Sequence, residues 1–150
     1  MPIGESCNRE VIFATQETTI AEAAQLMRRY HVGDLVVVKE VNGKRVPLGI
    51  VTDRDIVVEI IAKSQPFENC TVDKIMSSNL VSVTESEGMI ETIRLMRVHA
   101  IRRIAVVGND GTLVGILTVD DVLHLLAEEL SELAKIPQFQ QKREVRSKLP

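Results

Sequence analysis

Gly49-Ile50-Val51-Thr52-Asp53-Arg54-Asp55-Ile56-Val57 returns later as Gly115-Ile116-Leu117-Thr118-Val119-Asp120-Asp121-Val122-Leu123. Each copy runs from an apolar strand into Thr, reaches Asp three residues on, and continues as an apolar helix face. Thr suits a helix N-cap, because its hydroxyl accepts from a backbone N–H that has no partner inside the helix. The Asp then falls at the third helical position, where a capping box places an acidic side chain. Asp55 and Asp121 therefore stand in the first turn of a helix at the carboxyl end of a strand. A cap alone accounts for either copy; the recurrence ties the box to a duplicated unit.

Working outward, the whole chain repeats. Val11-Ile12-Phe13-Ala14 reads as a short strand, and Ile20, Ala23, Ala24 and Met27 follow the spacing of an amphipathic helix that ends near His31-Val32-Gly33, with Gly33 as the stop. Leu35 to Val38 is a β-branched buried strand, Asn42-Gly43 a hairpin turn, and Val46 to Val51 the return strand with Pro47 near its start. Thr52 opens a helix carrying Ile56, Val57, Ile60 and Ile61. Gln65 to Asn69 breaks it. The order recurs with Leu80 to Val83, the helical stripe Met89, Ile93 and Met96, the strand Ile104 to Val107, the turn Asn109-Asp110-Gly111, the strand Leu113 to Leu117, and a closing helix that Pro137 stops. Thr15 and Thr84, Glu22 and Glu91, and Leu26-Met27-Arg28 and Leu95-Met96-Arg97 are each 69 apart, and the offset falls to 66 after the hairpin. Each half is β-α-β-β-α. At about 50 to 60 residues one half is marginal alone, so two halves sharing one core is the expected arrangement, an α/β (α+β) pseudo-two-fold pair. The spans are 8–64 for the first repeat, 71–135 for the second and 136–150 for a C-terminal tail.

Composition narrows the function. The net charge of -3 argues against a basic nucleic-acid face, and one Tyr, three Phe and no Trp leave few stacking platforms. No apolar run approaches a membrane span, the first residues lack signal-peptide character, and two cysteines are too few for a disulfide scaffold. A cytoplasmic protein with reduced Cys7 and Cys70 is expected. His31, His99 and His124 form no metal-ligand spacing with the cysteines, no serine sits in a nucleophile elbow, and no Gly-rich phosphate loop is present. The residues thus point to a protein that is not an enzyme and holds no metal or required cofactor.

The duplicated Gly-x-x-Thr-x-x-Asp, the repeated Leu-Met-Arg helices and Val72-Asp73-Lys74-Ile75-Met76 ahead of the second half resemble the CBS domain pair, or Bateman module. The resemblance covers residues 8–133, nearly the whole chain. It implies two clefts between the repeats that bind adenosine-containing ligands such as AMP, ADP, ATP, NAD or S-adenosylmethionine as regulatory ligands, in the manner of an energy or metabolite sensor acting on a regulated protein. It further implies that Asp55 accepts from ribose hydroxyls beside Thr52 and Arg54, that Ile50 and Val81 sandwich a base, and that Asp55 faces Ile101-Arg102-Arg103, whose guanidiniums suit phosphate. The other cleft takes Ile12, Val32, Ile116, Thr118, Asp120 and Asp121, with Asp121 facing Val32-Gly33-Asp34 and no cation in the matching place. A less charged ligand, or none, is expected there.

This sequence departs from the family in two places. Many members have Pro inside the second strand, where Val36 and Ala105 stand here. The lead-in Cys7-Asn8-Arg9-Glu10 lacks the Ile-Met pattern of Ile75-Met76. Family members also pair through the helices after the Thr-x-x-Asp motifs, so Ile56, Val57, Ile60 and Ile61, with Leu125, Leu126, Leu130 and Leu133, imply a homodimer. A structural dimerisation module with degenerate sites is the alternative reading. The basic end Lys142 to Lys148 reads as a solvated tail.

Overall fold

The computed structural model describes residues 1–148. The chain forms two compact units, Met1–Leu117 and the segment that begins at Thr118. The first unit holds two three-stranded sheets, β1-β2-β3 and β4-β5-β6. In the first repeat these are β1 (Phe13–Thr15), α1 (Ile20–Tyr30), β2 (Asp34–Val41), β3 (Lys44–Thr52) and α2 (Asp53–Asp55). In the second they are β4 (Ser82–Thr84), α3 (Met89–His99), β5 (Arg103–Val107) and β6 (Leu113–Thr118), after which α4 (Val119–Lys148) follows. The mixed α/β fold is the expected one. In each repeat the short first strand runs parallel to the second, Phe13 opposite Val36 and Ser82 opposite Ala105.

The buried strand run of β2 works on both faces. Leu35 and Val37 join Ala14, Ile20, Ala23, Met27, Val51, Ile60 and Val72 in one core cluster, while Val36 and Val38 join Ile50 and Ile116 in another. The second cluster draws on both repeats, so neither sheet is covered without the other. Asn42 and Gly43 take positive φ (52° and 77°) at the first hairpin, as the turn chemistry requires. Pro47 pairs with Val38 at a bulge next to Val37, where its missing N–H interrupts the ladder least.

The polar lead-in ahead of β1 is built into the fold. Ile3–Glu5 forms a 3-10 turn with Ile3 fully buried, and it docks on the second repeat: Ile3 N donates to Glu87 O (2.8 Å) and Asn8 exchanges bonds with Ile116. The linker ahead of the second repeat does the reverse. Val72 N donates to Thr18 O (2.9 Å), and Ser77 exchanges bonds with Ile50. Residues 3 and 72, 8 and 77, and 50 and 116 are repeat equivalents, so each crossing bond has its pseudo-two-fold mate. In the first repeat, Ser6-Cys7 rather than Cys7-Asn8 occupies the place of Ile75-Met76.

Three sequence expectations are corrected. Gly33 does not stop α1. His31 takes the left-handed cap (φ 54°) and Val32 N closes on Met27 O, as Ala100 and Ile101 do after α3. The helix opened by Thr52 is α-helical for one turn, then π-helical over Ile56–Ile61, with Ala62 N bonded to Val57 O. Ile60 goes into the core, leaving Val57 and Ile61 exposed. In the second unit, Pro137 lies inside α4 and does not end it. Good helix formers flank this proline, and in an exposed helix water can satisfy the carbonyl its ring releases. The basic segment 142–148 is therefore helical. No helix among the described residues is long and apolar enough to cross a membrane.

Candidate ligand site

Both capping boxes form. Thr52 Oγ1 accepts from Asp55 N (3.1 Å) while Thr52 N donates to Asp55 Oδ2 (2.9 Å). In the second unit Thr118 Oγ1 accepts from Asp121 N, and Thr118 N donates to Asp121 Oδ2, both at 3.1 Å. Each box commits one carboxylate oxygen, and in the first copy it holds Asp55 half-buried at the end of β3. Gly49 is required there: a Cβ would collide with the Ser77 carbonyl of the crossing linker, as one at Gly115 would meet Asn8 O at 2.6 Å.

Within the first unit a cleft of about 210 Å³ opens between the repeats, lined by Ile50, Ser77, Asn79, Leu80, Val81, Ile101, Arg102 and Arg103. Five of the residues assigned from sequence (Ile50, Val81, Ile101, Arg102 and Arg103) thus come together. Each is delivered by a local cause. The crossing linker brings Ser77 and Asn79 over Ile50, and the left-handed turn at Ala100 aims Ile101 to Arg103 at the same opening. Thr52, Arg54 and Asp55 follow directly on the strand end that supplies Ile50, but they are not among the lining residues. Ile12, Val32 and Ile116 occupy the repeat-equivalent places of Val81, Ile101 and Ile50. Thr118, Asp120 and Asp121 belong to the second unit. Larger depressions along α4, of about 460 and 550 Å³, are lined by one exposed helix alone and are gaps between side chains rather than clefts.

Ser77, Asn79 and Leu80 were missed from sequence. The signal lay in the repeat itself. The isolated bonds between Ser77 and Ile50 put the linker on the neighbouring repeat, and a linker read only as a connector gives no hint of that crossing.

The electrostatics differ from expectation at one place. Arg103 Nε lies 2.6 Å from Asp34 Oδ2, with the two side chains 33% and 21% exposed. The strand start at Asp34 therefore does have a cation, supplied by the other repeat. Burial pushes the Asp34 carboxyl above the ordinary value; Arg103 pulls it down and Asp53 adds to the rise. A second cross-repeat pair joins the hairpins, Lys44 Nζ to Asp110 Oδ2 at 2.6 Å, and it holds the exposed Asp110 carboxyl well below the usual range.

A cleft between two sheet-bearing repeats, apolar on its walls and cationic at one end, has the make-up of a small-molecule site. The chain belongs to the CBS domain family, whose profile matches residues 3–62 and 72–128. A protein of Methanopyrus kandleri, MK0525, is 33% identical over 82% of this chain; the chain spans 61% of that relative's length. Among solved structures, the CBS domain protein PAE2072 from Pyrobaculum aerophilum, complexed with AMP, superposes with TM-score 0.71 at 27% identity, covering 81% of this chain and 89% of that one. The CBS domain pair of MJ0100, in complex with 5'-methylthioadenosine and S-adenosyl-L-methionine, gives TM-score 0.73 at 26% identity over 86% and 98% of the two chains.

Proposed function

We propose that this protein is a non-enzymatic cytoplasmic module that binds an adenosine-containing ligand in the cleft between its repeats and passes the bound state to a regulated protein. The observation that carries the reading is the convergence of Ile50, Val81 and Ile101 with Arg102 and Arg103 around one opening. Apolar strand ends suit the faces of a base, and guanidiniums suit phosphate oxygens. In this reading Asp55, held by its capping box five residues beyond Ile50, accepts from ribose hydroxyls. Two solved relatives with the same fold hold AMP, or methylthioadenosine with S-adenosylmethionine.

The test is a calorimetric titration with AMP, ATP, NAD and S-adenosylmethionine on the unaltered protein and on Asp55→Ala. At least one of these ligands should bind, and Asp55→Ala should weaken it while lowering stability by about 1 kcal/mol through the lost cap. Unchanged affinity in the mutant would confine Asp55 to capping. Silence from all four ligands would leave the dimerisation reading, which the exposed leucines of α4 support.

A further inference from the structure

The cleft's guanidinium at Arg103 is not alone. Its Nε, buried and not aligned for a hydrogen bond, lies 2.6 Å from Asp34 Oδ2, and the contact is an ion pair. Asp34 opens β2 and Arg103 opens β5, and the two are 69 residues apart, the offset of the strands they begin. They are thus the same position of the two repeats, meeting across the pseudo-two-fold axis with opposite charges. Asp34 is also opposite Thr52 in the β2–β3 register, one strand away from the capping box that holds Asp55. Asp53 closes the group: its N donates to Gly33 O (3.0 Å), and its charge bears on Asp34.

A phosphate that enters this cleft must share Arg103 with a carboxylate already in place. At partly buried sites a neighbouring unit charge alters the energy of an incoming charge strongly enough to be read as an affinity change. An uncharged adenosine ligand feels none of this. We propose that Asp34 is a specificity-determining residue of the cleft: by offsetting Arg103 from the other repeat, it holds down the affinity for phosphate-bearing ligands relative to uncharged ones. The inference rests on the adenosine-cleft reading above.

The test is calorimetric titration of the full chain with AMP and with adenosine, for the unaltered protein, Asp34→Asn and Arg103→Gln. Asp34→Asn should tighten AMP about tenfold and leave adenosine within about twofold. Arg103→Gln should weaken AMP by about tenfold or more and again spare adenosine. A structural role for the pair would move both ligands together. AMP bound no tighter, or less tightly, by a folded Asp34→Asn would overturn the proposal. So would AMP binding indifferent to Arg103→Gln, an arm that can overturn the proposal even if Asp34→Asn does not fold. Adenosine bound while AMP ignores both changes removes the proposal alone. Neither ligand binding to any of the three proteins removes the cleft reading, and the proposal with it.

Discussion

Asp34 shows how one side chain reports its surroundings through its proton. Burial raises its carboxyl pKa above the ordinary carboxylate value, against the pull of Arg103 on β5 and with the push of Asp53 at the start of α2. The native state therefore binds more protons than the unfolded chain between the ordinary value and the raised one. Stability falls where that holds as pH rises. The unaltered protein should thus lose stability relative to Asp34→Asn as pH climbs from about 4 through the raised pKa, and keep a constant difference above it. Urea melts of both proteins across that range check the sign; a relative gain with rising pH would mean that the Arg103 pairing outweighs burial. The sequence showed Asp34 and Arg103 only as charges on separate strand starts. Their meeting depends on the pseudo-two-fold axis, which places equivalent positions face to face, and the one-dimensional spacing assigned them to different clefts.

At the scale of elements, what was legible is what local chemistry dictates. Thr52-Asp55 and Thr118-Asp121 announced their helices because a capping box is satisfied within four residues. Asn42-Gly43 announced its hairpin because left-handed backbone favours those residues. The strand Leu35 to Val38 was legible as buried because both of its faces are apolar. Features settled by distant partners were not legible. The Pro2 to Asn8 lead-in has no periodicity, yet it is pinned by the second repeat. Pro137 carries a strong stop signal that an exposed helix overrides. The crossing linker also explains the strand glycines, and Gly49→Ala tests it. Its new methyl meets the Ser77 backbone, which cannot swing aside as a side chain would. A loss of about 1–3 kcal/mol is expected, with ligand affinity falling as well because Ser77 and Asn79 line the cleft. Thermal melts and a titration on the same variant check both. A stable variant with a weakened site would show that the linker yields without unfolding the core.

At the scale of the whole molecule, α4 presents an apolar stripe without cover in one copy of the chain. Leu123, Leu126, Leu130 and Leu133 recur at alternating three- and four-residue steps and are 43–65% exposed. Leu123 stands here in place of the expected Leu125, and Ile60 of the expected patch is buried in the core; such a seam suits a second helix, and a homodimer through it is the expectation to test. Leu126→Glu/Leu130→Glu should convert a dimer to a monomer at micromolar concentration by light scattering while leaving the far-ultraviolet circular dichroism of the fold in place. A monomer in the unaltered protein would remove the seam from the assembly. The Asp34–Arg103 contact bears on a different kind of assembly. A repeat that paired with its own twin would set Asp34 against Asp34, or Arg103 against Arg103, since equivalent positions meet at the axis. Only two unlike halves can neutralise each other there. Self-pairing of either half would thus carry a like-charge penalty at the axis, and the covalent join sets a first half against a second, opposite charge to opposite charge.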